Sequence, residues 1–95
     1  MCIIEEISEN DYENWKFIFK KYLLFYNLNL SEKIISYSWN NIINKEEEVY
    51  CLGCYETSRN NKKQLVGIMN FIYHKSTWSK NNVCYLEDLF SFLHI

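Results

Sequence analysis

QLVGIMNFIYHKSTWSKNNVCYLEDLF, residues 64–90, sets two apolar runs rich in β-formers on either side of a polar connection, and its reading decides the fold. Val, Ile, Tyr and Phe suit a pleated, half-buried surface, whereas the Ser, Thr, Lys and Asn of residues 75–82 suit a turn. The preceding run, VYCLGCYET at 49–57, has the same character, and SRNNKK at 58–63 reads as a hairpin connection between them. Gly67 is an entropic weak point inside its strand unless another backbone or a ligand approaches closely there.

Upstream the period changes from strand to helix. Tyr12, Trp15, Phe19, Tyr22 and Tyr26 recur at steps of three and four, with Ile18 and Phe25 widening the stripe, which is the spacing of an amphipathic helix. Ser8, followed three residues later by Asp11, resembles its N-cap, and NLN at 27–29 breaks it. Ser31 can cap a second helix whose apolar face is Ile35, Trp39, Ile42 and Ile43 and which Asn44 stops. CIIEEI at 2–7 suits an opening strand. The predicted order is strand, helix, helix, strand, strand, strand: an α+β member of the broader α/β group, with a mostly antiparallel sheet in one domain over residues 1–95.

Composition narrows the function. The apolar fraction of 48%, with 8 Tyr, 6 Phe and 3 Trp, supports a packed core rather than disorder. At 95 residues the core is small, and folding buries only about 60–65% of the chain's surface. A net charge of −2 with a single arginine, Arg59, lacks the concentrated basic surface that phosphate backbones need, so no nucleic acid partner is expected. The longest unbroken apolar stretch, Tyr22 to Tyr26, is too short to span a bilayer, and MCIIEEIS has no basic or long apolar leader. The expectation is a cytoplasmic protein without a membrane partner.

Cys51 and Cys54 form a C-x-x-C, but a redox pair wants its first thiol at a helix N-terminus and a zinc site wants a second ligand pair. On a strand, residues three apart face opposite sides, so the expectation is two small buried hydrophobes. His74 and His94 are too few for a metal cluster, and each reads as a hydrogen-bonded or exposed histidine. No metal is expected. The run Glu46, Glu47, Glu48 reads as a solvated turn.

Glu87 and Asp88 stand apart, two adjacent carboxylates inside an apolar strand. Adjacent strand residues face opposite sides, so at most one is expected in a given pocket. A partly desolvated carboxylate suits a general base; an exposed terminal strand carrying two acids is the plainer reading.

Three motifs in register then point further. Val66-Gly67, the segment His74, Ser76, Thr77, Trp78, and Tyr85 to Phe90 together resemble the GNAT superfamily of N-acetyltransferases, in particular its spermidine/spermine-type small-amine branch. The resemblance implies that an amine attacks the thioester of acetyl-CoA, with Glu87 matching the base and Leu89 and Phe90 matching positions beside the acetyl-CoA arm. Tyr85, Trp78, His74, Tyr26, Trp39 and Asp88 match regions that shape the acceptor pocket.

In that family the strand continues into a glycine-rich loop whose backbone N–H groups bind the CoA pyrophosphate, whereas here SFLHI follows Phe90. The expectation is therefore the amino-terminal half of an acetyltransferase for a small amine such as a polyamine, inactive alone. Its strand at 83–90 is then free to self-associate or to recruit a second-half polypeptide. The rival reading is a non-enzymatic module that recruits another chain by strand addition.

Overall fold

The computed structural model describes residues 2–92, which form two helices and a four-stranded antiparallel sheet. Strand β1 (Cys2–Glu6) leads through a single turn of tighter helix at Glu9–Asp11 into α1 (Tyr12–Phe25), and α2 (Glu32–Asn44) follows. The strands β2 (Val49–Thr57), β3 (Lys63–His74) and β4 (Val83–Ser91) then complete the sheet in the order β1-β2-β3-β4. Every element expected from the residue pattern is present. His94 lies outside the described residues.

The helices form where their caps and stripes place them. Ser31 accepts a hydrogen bond from the Ile34 N–H at 3.2 Å and so fixes the start of α2. Asn27, with φ of 56°, and Lys45, with φ of 55°, turn the chain left-handed just after α1 and α2. Glu32 joins the two helices by pairing with Lys16 at 2.7 Å and with Lys20.

One face of each helix meets one face of the sheet. Trp15, Ile18, Phe19 and Leu23 of α1 pack with Ile35, Trp39 and Ile42 of α2 onto Cys51, Tyr55, Leu65 and Ile68. Trp15 is wholly inaccessible, and its ring lies 5.0 Å from Phe19 and 5.1 Å from Trp39 between centroids. A buried tryptophan of this kind contributes about 3–5 kcal/mol relative to alanine.

Two irregularities shape the sheet. Cys54 pairs with Gly67 and Tyr55 with Leu65, so Val66 is an extra residue on β3. Asn70 pairs with Asp88 and Phe71 with Leu86, so Glu87 is an extra residue on β4. Both are β-bulges. Gly67 answers the expectation of a close approach, because a methyl group there would lie 3.1 Å from the Phe90 carbonyl oxygen.

A convergent hydrogen-bond cluster ties β2 to the start of α1. The Tyr55 hydroxyl donates to Asp11 Oδ2 at 2.6 Å, and the same oxygen accepts from the Ser8 N–H at 2.9 Å and the Ser8 hydroxyl at 3.0 Å. Burial and the Asp11 carboxylate both push the Tyr55 phenol well above its usual pKa. The Tyr55→Phe protein is expected to lose about 1–2 kcal/mol of stability in urea titrations, since a charge-assisted bond disappears while the ring stays packed. An unchanged midpoint would mean that this bond does not hold the helix start.

Candidate functional site

A hollow of about 280 Å³ lies between β4 and the helices, lined by Phe19, Ser38 and Ile42, with Trp15 and Asn70 in its floor and Glu87 and Asp88 beside them. Both carboxylates line it. The rule that adjacent strand residues face opposite sides fails here because Glu87 is the bulged residue. The extra residue resets the alternation, and Glu87 and Asp88 turn to the same side.

The floor of the hollow is a buried polar chain. Trp15 Nε1–H donates to Asn70 Oδ1 at 3.3 Å, and Asn70 Nδ2–H donates to Asp88 Oδ2 at 3.1 Å. Asn70 is only 5% exposed, so its amide needs partners on both ends, and this orientation provides them. Asp88 is half-buried and Glu87 exposed. The pair thus presents one carboxylate hydrogen-bonded to the core and one exposed beside it.

Tyr22 stands on the α1 side of the same acidic group. Burial first, then the Asp88 carboxylate, raise its phenol to about 12, so its hydroxyl stays protonated at any ordinary pH. Its ring stacks at a tilt on Tyr26, 5.1 Å away, and meets the edge of Phe90 at 6.3 Å. Tyr26 itself is exposed at the end of α1.

The other residues singled out from the sequence lie apart from this hollow. Trp39 is buried in the core between Tyr12 and Trp15. His74 and Tyr85 pair edge to face at 6.2 Å near the end of β3. Trp78, 94% exposed, sits in the β3–β4 connection. Leu89 faces away from the helices, opposite Met69, while Phe90 faces them opposite Ile68. Trp15, Asn70, Tyr22 and Ser38 were not picked out as site residues. Asn70 carried a usable signal as the one polar side chain within the apolar run LVGIMNFIY.

Cys51 and Cys54 take opposite faces, as the strand period requires. Cys51 is buried under the helices, where desolvation raises its thiol to about 12, whereas Cys54, expected to be buried as well, is only partly so because it lies opposite Gly67 on the face the helices do not cover. This arrangement carries neither redox nor shared-metal chemistry for the pair. Among the described residues no group of three or more His, Cys, Asp and Glu is placed to hold a metal, and no helix is long and apolar enough to cross a membrane. No protein-family model matches the chain.

The hollow can therefore hold a small cation. Two carboxylates attract it, an aromatic and aliphatic wall desolvates its alkyl part, and the exposed carboxylate can take a proton. Asn70→Leu is expected to destabilise the protein by about 1–3 kcal/mol in denaturant titrations, because the Trp15 N–H is left buried without an acceptor. Stability equal to the parent would show that the Trp15–Asn70 bond is dispensable.

Proposed function

We propose that this chain forms the acceptor side of a GNAT-type N-acetyltransferase site, in which a small primary amine such as a polyamine enters the hollow beneath β4. The observation that carries the reading is the bulge, which sets Glu87, the base by resemblance, beside Asp88 along the same hollow. The element order and the antiparallel meander support it, since both are what the resemblance implies.

Asp88, held by Asn70, supplies fixed negative charge for the ammonium form of the amine. Glu87, exposed beside it, takes its proton directly or through a water and frees the nitrogen lone pair. Acetyl-CoA, when bound, offers the thioester carbonyl at which the C–N bond forms as the C–S bond breaks.

The described residues fit one part of that cosubstrate and not another. The outer edge of β4 has no strand partner among them, which leaves backbone N–H and C=O groups for the amides of the pantetheine arm. The pyrophosphate requires a glycine-rich turn, yet the chain's two glycines, Gly53 and Gly67, both lie inside strands. The described residues therefore supply no turn for the pyrophosphate. The same free edge favours a second reading, a non-enzymatic module that adds a partner's strand to this sheet.

Calorimetric titration with spermidine at low salt separates the two. The acceptor reading predicts saturable binding that Asp88→Asn weakens about tenfold, or about 1.4 kcal/mol. Absence of binding by the parent protein would remove the amine site and leave the strand-adding module.

A further inference from the structure

Two thiols meet on the sheet face turned away from the helices. Across β1 and β2, Cys2 pairs with Glu56 and Ile4 with Cys54, so Cys2 and Cys54 point to the same side and stand on a diagonal, two residues apart in register. Burial first, then the charge and hydrogen bond of the Cys2 thiol, hold the Cys54 thiol above its usual pKa. The two sulfurs are therefore in direct reach of each other. Cys51 lies on the opposite face under the helices, and Cys84, opposite Tyr73 on β4, is separated from Cys54 by the whole of β3. Exposure divides the pair's roles: Cys2 is exposed and Cys54 partly buried, so one thiol meets a reagent from solvent and the other stands behind it to resolve the product.

We propose that Cys2 and Cys54 form a reversible disulfide that staples the edge strand β1 to β2, with a small soluble disulfide such as glutathione disulfide as the oxidant. The Cys2 thiolate attacks one sulfur of the oxidant, whose S–S bond breaks, so that one thiol leaves and Cys2 carries a mixed disulfide. The Cys54 thiolate then attacks the Cys2 sulfur, the mixed S–S bond breaks and the second thiol leaves. Each departing thiol takes up one of the two protons that the protein releases. The protein loses two hydrogens and two electrons, and the oxidant is reduced to two thiols.

The backbone can accommodate the bond. A disulfide needs Cα atoms within about 7 Å, the near limit of a cross-strand diagonal, so a small local adjustment is required. Both positions permit it. Cys2 opens β1, and Cys54 adjoins the bulge at Cys54/Tyr55, where the ladder is already interrupted and the twist increased.

The staple acts on a lightly held element. β1 is an edge of the sheet, joined to β2 by its ladder and to the rest by the exposed ion pairs Glu5–Lys63 at 3.0 Å and Glu6–Lys45 at 2.9 Å, which contribute little. A bond between Cys2 and Cys54 closes a loop that contains both helices, and so removes freedom from the unfolded chain while leaving the packed fold in place.

Peptide mapping by mass spectrometry, after incubation of the dilute protein with glutathione disulfide, tests this. The parent is expected to lose two hydrogens, to retain no glutathione on Cys2 or Cys54, and to give linked peptides whose fragmentation places the bond between these two residues. Cys54→Ser is expected to keep glutathione on Cys2, and should that variant fail to fold, the parent's map decides alone. The oxidised parent is expected to melt about 10 °C above the reduced protein and to return on addition of a reductant. Glutathione retained on Cys2 of the parent, both thiols left free, or a link from Cys2 to Cys51 or Cys84 would overturn the proposal. A Cys2–Cys54 bond that leaves the melting temperature unchanged would overturn the staple equally.

Discussion

Asn70 is the constraint on which the rest of this molecule depends. A primary amide in the middle of a buried strand, 5% exposed, costs several kcal/mol unless both its ends are bonded. Its oxygen is met by the indole of Trp15 from α1 and its nitrogen by the carboxylate of Asp88 from β4. One side chain therefore sets the depth at which α1 lies on the sheet and the register at which β4 joins it. The bulge follows at once: with Asp88 held opposite Asn70 and Leu86 opposite Phe71, Glu87 has no partner and turns with Asp88 towards the hollow. Core packing and the proposed chemistry thus share a single polar chain, and neither can be altered alone.

The sheet's two faces are unequal in a way that matters for assembly. The helix side is closed by Trp15, Phe19 and Trp39 in ring contact and the aliphatic residues around them, whereas the other side leaves leucine and isoleucine in water. Covering that face and completing the β4 edge are separate needs. The β4 edge, without a strand partner among the described residues, is the second place where surface normally satisfied inside a fold is left open.

Most of the architecture was legible in the sequence because it rests on local periodicity. The three-and-four spacing from Tyr12 to Tyr26, the Ser31 cap, the break at Asn27 and the opposed cysteines all depend on residues near one another in the chain. The bulges were not legible, since an extra residue on a strand is defined only by its partner strand. For the same reason the rule that separates adjacent carboxylates gave the wrong expectation for Glu87 and Asp88. Trp39, His74, Trp78 and Tyr85, assigned to the acceptor region by resemblance, are dispersed between the core, the end of β3 and an exposed connection. The residues that build the hollow's floor, Trp15 and Asn70, are apolar-stripe and mid-strand positions whose polar atoms matter only once two distant elements meet.

The central claim, that the Trp15–Asn70–Asp88 chain couples the core to an amine-binding hollow, is tested most directly by the Trp15 indole N–H resonance. In proton–nitrogen spectra the account predicts an indole signal that exchanges slowly with solvent and shifts when spermidine is added, together with the Asn70 side-chain amide. An indole proton exchanging at the rate of a free tryptophan, or one unmoved by amine while other signals respond, would contradict it.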